Sequence, residues 1–259
     1  MNKLSALKYV YRKCVTREFQ WLETAPPGEK TDILYIYHIP NRPLGTGVIE
    51  STTIHLDLTQ EAHVLWNDIH KNDRYKIQRA ERDGILVEVE THPDPELISE
   101  LGNAYREIEL RKGRPPLDLS ALGLLADRGQ LTISRSRAPD GRRLSWHAYV
   151  TGATRARLFI SVTRLLGVTT SAEKNQAGRA NRYHHWRDIS SFKERGFHLY
   201  DFGGYYEKGK DSEKVSIGHF KKGFGGQFVN CYSQVLPITL VGNIAWRIFT
   251  IIGMQEGNS

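Results

Sequence analysis

Three consecutive runs in which apolar and polar residues alternate constrain the fold of this chain more than any other feature. The apolar positions are Leu131 and Ile133 in the first run, Leu144, Trp146, Ala148 and Val150 in the second, and Ala156, Leu158, Ile160 and Val162 in the third. A period of two is typical of a strand with one buried face. Turn residues separate the runs, at Pro139-Asp140-Gly141 and at Thr151-Gly152. The sequence therefore predicts an antiparallel meander of three strands.

Further strand and helix patterns surround this meander. Strand-forming runs cover 33–39, 53–58, 85–90 and 197–202, and helical spacing of apolar residues marks 62–69, 72–84, 94–112 and 173–195. In the last helix, apolar residues recur every three positions, so the stripe winds around the axis and predicts contacts on several faces. We expect an α+β fold, with a mixed sheet that contains the meander and is flanked by helices. This order, with a long helix directly after the meander, is similar to the GNAT acyltransferase fold.

Composition and charge limit the class of protein. The chain has 259 residues, of which 39% are hydrophobic and 25% charged, as in a globular protein with a sizeable core. Its two cysteines, Cys14 and Cys231, form no spacing motif, and no apolar run of signal-peptide length opens the sequence. We therefore expect a cytoplasmic protein. The net charge of +7 favours anionic partners, namely nucleic acid, a phospholipid surface or a phosphorylated small molecule.

The sequence is expected to form one compact domain with three parts. These are an N-terminal strand and loop region (1–52), a core (53–236) and an apolar C-terminal helix (237–259). The C-terminal apolar stretch is interrupted by polar residues and is too short to span a bilayer. It is either a helix docked on the core or an interfacial helix with Trp246 and Arg247 at the level of the lipid headgroups.

Two glycine-rich segments carry the strongest functional signal. They read Tyr200-Asp-Phe-Gly-Gly204 and Phe220-Lys-Lys-Gly-Phe-Gly-Gly226. Glycine is favoured where the backbone needs a positive φ or where another group approaches the main chain closely. Lysines surround these segments, at positions 208, 210, 214, 221 and 222, so an anionic ligand is expected. The alternative is an ordinary flexible hairpin.

Two other segments offer contacts to phosphate. Arg74 and Arg79 belong to a basic run on one short helix, which is either a solvated face or a phosphate-binding surface. The segment Asn175-Gln-Ala-Gly178-Arg-Ala180 is expected to open the long helix, where free N–H groups favour a negative charge. No metal site is predicted, because His184 and His185 are adjacent and point about 100° apart on a helix.

At these segments the chain resembles the FemABX-like branch of the GNAT superfamily, which includes the peptidoglycan-bridge enzymes. The matching pieces are residues 66–85, 178–186, 200–204 and 220–226, and together they extend over about Thr53 to Val235. The resemblance implies acyl or aminoacyl transfer to an amine. The best-known members add amino acids from aminoacyl-tRNA to the peptidoglycan stem peptide. The family's lysine in the Phe-Lys motif falls on Lys221, where it is expected to contact substrate phosphate or developing negative charge.

The resemblance also implies where a donor binds. GNAT enzymes grip the pyrophosphate of coenzyme A at the start of the helix that follows the meander, which here gives Asn175, Gln176, Gly178, Arg179 and Ala180. Asn175 departs from the family, which has glutamine or arginine at that position. The chain is also short for two full GNAT lobes and lacks the coiled-coil arm of seryl-tRNA-like members. Acyl-coenzyme A is the expected donor, and aminoacyl-tRNA is the alternative.

We expect transfer of an acyl or aminoacyl group from a thioester or ester donor to an amine of a cell-envelope precursor or amino sugar. The candidate catalytic residues are Lys221, His184, His185, Asp188 and Tyr205, and the candidate substrate-binding residues are Arg74, Arg79, Asp201, Gly203, Gly204 and Phe224. Backbone N–H groups near 161–163 are expected to stabilise the oxyanion. The expected partner is an anionic small molecule or a lipid-linked substrate, with tRNA or peripheral contact at the inner membrane face as alternatives. The competing hypothesis is a non-catalytic protein of the same fold that binds nucleic acid or an anionic membrane surface.

Overall fold

The computed structural model describes residues 15–19, 32–164, 170–207 and 212–255. Its strands are β1 (Val15–Phe19), β2 (Ile33–Ile39), β3 (Val48–Asp57), β4 (Leu86–Glu90), β5 (Leu131–Arg137), β6 (Arg143–Thr151), β7 (Arg155–Thr163), β8 (Leu199–Tyr205) and β9 (Gln227–Pro237). Its helices are α1 (Ala62–Asp68), α2 (Lys71–Arg82), α3 (Pro95–Lys112), α4 (Leu119–Asp127), α5 (Ser171–Glu194), α6 (Ser212–Lys222) and α7 (Leu240–Gln255). Cys14, Lys208 and Lys210 lie outside the described residues.

The chain forms two compact units. One contains residues 52–229, and the other combines residues 1–51 with residues 230–259. In this division most of β9 and all of α7 group with the N-terminal segment, whereas the sequence predicts a core over 53–236 and a C-terminal helix over 237–259 within one compact domain. The physical reason is strand pairing, because the C-terminal part of β9 pairs with β2.

In the unit of residues 52–229 the strand order is β3-β8-β7-β6-β5-β4. The three strands β5, β6 and β7 pair antiparallel, with Ile133 opposite Ala148 and Ala148 opposite Ile160. The predicted meander is therefore confirmed, and β4 extends it by pairing antiparallel with β5. Because β7 and β8 pair parallel, the sheet is mixed, and the predicted α+β fold class is confirmed.

Helices cover both faces of this sheet, and each face has its own core. On the first face, α1, α2 and α5 pack on a cluster that includes Leu158 and Phe202. On the second face, α3 and α4 pack on a cluster that includes Trp146 and Ile160. Neighbouring residues of one strand reach opposite clusters because strand side chains alternate between the two faces.

The helix α4 is not predicted by the sequence, and α5 is predicted in type and character. Leu122 is the fully buried residue of α4, and Leu125 and Ala126, three and four positions further on, pack against the same core, so the helical period is short. The start of α4 is marked by an N-cap residue, because the Asp118 carboxylate accepts a hydrogen bond from the Ala121 N–H at 3.1 Å. By contrast, α5 buries Ala177, Tyr183 and other residues on several faces, as its winding apolar stripe predicts.

A one-residue bulge in β7 changes which face its side chains reach. Ala148 pairs with Ile160 and Tyr149 pairs with Leu158, so Phe159 is an extra residue on β7. The side chains of Leu158 and Ile160 consequently pack in different clusters, on opposite faces of the sheet. The alternation of Ala156, Leu158, Ile160 and Val162 predicts a single face, so this part of the prediction is wrong by the one residue that the bulge inserts.

The strands β7 and β8 pair over a short distance only. Their parallel register joins Arg155 to Leu199, Ala156 to Tyr200 and Arg157 to Asp201. Beyond these pairs, neither the rest of β7, as far as Thr163, nor the rest of β8, as far as Tyr205, pairs with the other strand. The pairing between these two central strands therefore ends directly after Arg157 and Asp201, although Gly203 still approaches Leu158 closely, and we call this interruption of the ladder the opening.

The other unit contains β1, β2, the C-terminal part of β9, and α7. A Cβ added to Gly242 would lie 2.0 Å from the Asp32 carbonyl oxygen, so α7 docks closely on its own unit at that point. On the outward side of α7, Leu240, Ile244 and Ile248 are 83%, 58% and 49% exposed. Among the described residues no helix has the length and apolar character needed to cross a membrane. Contact of α7 with lipid stays a prediction.

Candidate functional site

Asp201 is the centre of a polar cluster at the opening between β7 and β8. Its carboxylate accepts hydrogen bonds from the Arg155 guanidinium at 2.6 Å, from the Gly203 N–H at 2.8 Å and from the Thr53 hydroxyl. Arg157 Nε lies 3.5 Å from the same carboxylate. Strand pairing brings these residues together, since Asp201 pairs with Arg157 across β7 and with β3 on its other side.

The electrostatics of this cluster keep Asp201 ionised. Burial alone would raise the pKa of its carboxyl group. The nearby His55 ring, whose Nε2 lies 3.8 Å from the carboxylate, and the charges of Arg157 and Arg155 together outweigh burial and hold the pKa of Asp201 well below its usual value. One carboxylate thus faces two guanidinium groups, which leaves the cluster with excess positive charge and suits an anionic ligand.

Lys221 joins this cluster from the end of α6. Its Nζ donates a hydrogen bond to the Gly204 carbonyl oxygen at 2.8 Å. Burial, and then the nearby charge of Arg157, lower the pKa of Lys221 to about 8, while Asp201 opposes the shift. A lysine with this pKa is mostly protonated at pH 7 and is desolvated enough to interact strongly with a negative charge.

In β8, Gly203 is required by the backbone. Gly203 has φ +69°, and a Cβ there would lie 3.0 Å from the Leu158 carbonyl oxygen on β7. Any side chain at Gly203 would therefore strain the backbone and press on the neighbouring strand. Gly204 supplies the carbonyl oxygen that accepts the hydrogen bond from Lys221. The expectation that glycine here serves a positive φ and a close approach is confirmed for Gly203.

His184, His185 and Asp188 lie in a separate cluster, inside the core of the first face. All three are at most 1% exposed. The ring of His147 stacks between the two neighbouring histidines, with centroid distances of 3.7 Å to His184 and 4.0 Å to His185. Asp188 accepts hydrogen bonds from the Tyr149 hydroxyl at 2.6 Å and from His147 Nδ1 at 2.7 Å. The structure thus assigns these candidates to the core and away from solvent.

Burial holds this cluster in one protonation state. It lowers the pKa of His184 to about 3 and that of His185 well below its usual value, with the neighbouring His147 acting in the same direction. Both rings are therefore neutral at ordinary pH. His184 contacts Ser134 and Ser145 hydroxyls at 2.8 Å through its two nitrogens, so it is held as a structural hydrogen-bonding group.

The same cluster contains three residues of the types that bind metals, and each of them has other contacts in the core. Ligand atoms of His147, His185 and Asp188 lie within 4.8 Å of one another. However, the two imidazole planes are stacked at 25°, so their in-plane lone pairs do not converge on one point. Nδ1 of each ring also has a hydrogen-bond partner, Asp188 for His147 and Tyr200 for His185.

Other predicted site residues have structural contacts. Arg74 donates to the carbonyl oxygens of Asn67 and Ile69 at 2.6 and 2.8 Å, so it closes the end of α1. Arg79 pairs with Asp83 at 3.0 Å on its own helix. These two side chains are therefore held by the protein itself.

Two aromatic candidates also pack within their unit. Phe224 is 1% exposed and belongs to the first core. Tyr205 packs on Phe228 with ring centroids 4.7 Å apart, and its hydroxyl is buried without a hydrogen-bond partner among the described residues. Tyr205 ends β8, the strand that carries Asp201 and Gly204.

The proposed donor segment lies inside α5 rather than at its start. α5 begins at Ser171, and Thr170 and Glu173 form a capping box in which each side chain bonds the other's backbone N–H. The N–H groups of Asn175 to Ala180 are consequently used in the helix ladder. The expectation that this segment opens the helix is wrong by about one turn, because Thr170 is the stronger cap. The Gly178 Cβ position is open, with Arg182 Nη1 at 3.9 Å as its nearest neighbour.

Four residues of the Asp201 cluster were not among the sequence candidates: Thr53, His55, Arg155 and Arg157. A weak signal was present for the arginines. They take the polar positions of the third alternating run and would share a sheet face with each other. Nothing local links them to Asp201, because that link depends on the register between β7 and β8.

Solved structures with similar folds include three that cover most of this chain. FemX has a TM-score of 0.59 and 14% identity, and covers 91% of this chain and 78% of its own. The C-terminal domain of a protein described as a lysylphosphatidylglycerol synthetase from Agrobacterium fabrum has a TM-score of 0.52 and 13% identity, covering 85% and 72%. L-PGS from Bacillus licheniformis has a TM-score of 0.52 and 12% identity, covering 85% and 73%.

These similarities define the fold of the chain. They confirm the predicted GNAT-like fold and the resemblance to the FemABX-like branch at the level of structure. No protein-family model matches the chain, and no curated protein sequence matches it. The chain therefore has a FemABX-like fold with a sequence that has diverged far from the proteins it resembles.

Proposed function

We propose that this protein transfers an acyl or aminoacyl group from a thioester or ester donor to an amine. The observation that carries the proposal is the opening where β7 and β8 stop pairing, with Lys221 and the Asp201 cluster beside it. Within the described part of the chain, residues 161–163 of β7 have no pairing with β8, so their backbone N–H groups on that side can serve as donors. It is also lined by positive charge, which suits a reaction in which negative charge develops.

The reaction needs two contributions from the protein. The amine attacks the carbonyl carbon, a C–N bond forms, and the C–S or C–O bond to the donor breaks. The amine proton passes to a base or to the leaving group. In the tetrahedral intermediate, the oxyanion accepts hydrogen bonds from N–H groups of β7 near 161–163, and the Lys221 ammonium stabilises its charge. Asp201 holds Arg155 and Arg157 in place beside that position.

The structure supports Lys221 as the group most sensitive to mutation. Lys221→Ala is expected to lower kcat by about 100- to 1,000-fold, the range seen when one oxyanion donor is removed. Lys222→Ala is the matched control, because Lys222 is exposed and lies 3.9 Å from Glu207 at the surface. Thiol release from acetyl-coenzyme A with an amino sugar as acceptor measures one donor class. Release of the amino acid from aminoacyl-tRNA with the same acceptor measures the other.

The proposal also covers the identity of the donor and of the acceptor. Acyl-coenzyme A is our preferred donor, and aminoacyl-tRNA is the alternative; the acceptor we propose is an amine of a cell-envelope precursor or amino sugar. The fold is shared with FemX and with a protein described as a lysylphosphatidylglycerol synthetase, which favours an acceptor from the cell envelope. Calorimetry with acetyl-coenzyme A and with aminoacyl-tRNA separates the donors. If neither donor binds or reacts, the proposal is wrong.

The second candidate function is a non-catalytic protein that binds nucleic acid or an anionic membrane surface. The observation that favours it is the net charge of +7. Such binding would weaken steeply with salt, without turnover of any donor. In that case Lys221→Ala and Lys222→Ala would weaken binding equally, since each removes one positive charge.

A further inference from the structure

A cleft of about 910 Å³ lies between α3 and the strands β6 and β7, in the unit of residues 52–229. One wall is a single face of α3, formed by residues at helical spacing from Glu100 to Arg111. The other wall is formed by Arg143 and Trp146 of β6 and by Arg164, which follows β7. The volume is within the range of sites that hold small organic ligands. None of the functional candidates discussed above lines it.

Part of this cleft is apolar. Trp146 is fixed in orientation, because its Nε1–H donates to the Glu100 carboxylate at 2.9 Å. Ala104 and Leu110 of α3 also line the cleft, and Leu110 is 83% exposed. The exposed edge of this largely buried ring, a methyl group and an exposed leucine along one cleft offer an apolar surface that a ligand chain can cover.

The charge of the cleft is positive and only partly neutralised. Glu100 is held by Arg135 at 2.5 Å and by Arg143 at 3.5 Å. Outside the cleft, Glu88 binds Arg135, Arg137 and Arg143; burial opposes its ionisation, but these three hydrogen bonds lower the pKa of Glu88 to about 2. The acidic groups next to Arg143 are thus already paired.

Three further arginines remain for a ligand. Arg106, Arg111 and Arg164 are exposed, and within the described part of the chain none of them makes an ion pair. Glu107 is the second carboxylate of the lining. A planar guanidinium binds phosphate or carboxylate through two parallel hydrogen bonds, so three of them around one cleft favour an anion.

We infer that this cleft binds an anionic amphiphile, a ligand with a phosphate or carboxylate group next to an apolar chain. The arginines would hold the anionic group, and Trp146, Ala104 and Leu110 would cover the chain. This inference does not depend on the proposed transferase activity, since its residues and its readout are different.

Calorimetric titration with octyl phosphate, kept below the concentration at which it forms micelles, tests the inference. We expect octyl phosphate to bind at least tenfold more tightly than inorganic phosphate, because the chain adds apolar contact. Arg111→Gln should weaken octyl phosphate binding by about tenfold. Arg128→Gln is the matched control, an exposed arginine at the end of α4 that does not line the cleft, and it should change the affinity by less than about twofold.

A second variant separates the two parts of the ligand. Leu110→Ser should weaken binding of octyl phosphate and leave binding of inorganic phosphate unchanged. Because Leu110 is exposed, the substitution should have little effect on the stability of the fold. Equal affinity for inorganic phosphate and octyl phosphate would overturn the inference. So would equal loss in Arg111→Gln and Arg128→Gln, which would indicate general charge attraction. Binding to anionic vesicles, with none to monomeric octyl phosphate, would assign this face to a lipid surface and also overturn it.

Discussion

The opening at Lys221 and the buried cluster around His147 lie in the same unit and use similar polar residues, but they differ in access and in pairing. In the buried cluster, the rings of His147, His184 and His185 stack, and burial keeps His184 and His185 neutral. At the opening, Lys221 is only partly buried and has a pKa of about 8 beside an ionised Asp201. The first arrangement holds a core together, and the second leaves a charged side chain with partial solvent exposure.

The difference between these two clusters shows why residue type alone does not identify catalytic residues. A histidine pair on a helix is a natural candidate for a general base, yet His184 and His185 face the core and have fixed partners. A lysine that ends a helix is a common surface residue, yet Lys221 is directed at a strand carbonyl beside two arginines. Solvent access and neighbouring charge, rather than residue type, favour Lys221 as the reactive position.

The largest effect is expected for the buried cluster. Asp188→Ala removes the acceptor of the Tyr149 hydroxyl and of His147, and leaves both groups buried without it. We expect the free energy of unfolding to fall by about 3–5 kcal/mol, with little change in kcat of the protein that remains folded. Urea denaturation measures the first quantity. Asp83→Ala is the control, because Asp83 also has two side-chain partners, Arg79 and Arg179, but lies near the surface, and the change should cost less than about 1 kcal/mol. If the Asp188→Ala protein is stable but inactive, the buried cluster takes part in catalysis and the structural role is wrong.

The next effect concerns the pH dependence of transfer. The proposed role of Lys221 needs its protonated form, which is lost as the pH rises through its pKa of about 8. We expect kcat to fall about tenfold per pH unit above that value. Lys221→Arg keeps the positive charge at all these pH values and should remove this alkaline limb. An alkaline limb that persists in Lys221→Arg would show that another group controls the rate.

A smaller effect is expected at Gly203, where the backbone has φ +69° and lies close to β7. Gly203→Val should lower stability by about 1–3 kcal/mol and also lower kcat, because strain there displaces Asp201 and the carbonyl that Lys221 contacts. Gly141→Val is the control, since Gly141 also has a positive φ but no atom within 4 Å of its Cβ position. It should lose stability without losing kcat. Full activity in Gly203→Val would show that the close approach of β8 to β7 at Gly203 is not needed for transfer.

The smallest effect is expected at Gly178, which lies in the interior of α5 with open space around its Cβ position. Gly178→Ala should stabilise the protein by about 0.5–1 kcal/mol, since glycine is a poor helix former. Donor affinity in calorimetry should stay unchanged if no phosphate contacts this segment. A clear loss of affinity for acetyl-coenzyme A in Gly178→Ala would support a donor site at Asn175–Ala180.

Most of the secondary structure could be predicted from local patterns. The meander, the helix α3 with Asp94 at its N-cap and Gly113 at its C-cap, and the position of α5 all follow from spacing and capping residues. The helix α4 was missed because it is short, so the helical spacing of Leu122, Leu125 and Ala126 covers little more than one turn. The bulge at Phe159 was missed for a different reason. An inserted residue leaves the local alternation intact and changes only which face the later side chains reach.

The sequence by itself determined the strand and helix order, the glycine motifs and the position of Lys221 in its motif, because these depend on neighbours within a few residues. Only the tertiary structure decided the candidate site. Asp201 meets Arg155, Arg157 and Thr53 through the register of β3, β8 and β7, over separations of up to 148 residues. The same register buries the histidine pair and leaves Lys221 beside an opening. Register is set by how whole sheet faces pack against their helices, so no local pattern in the sequence contains it.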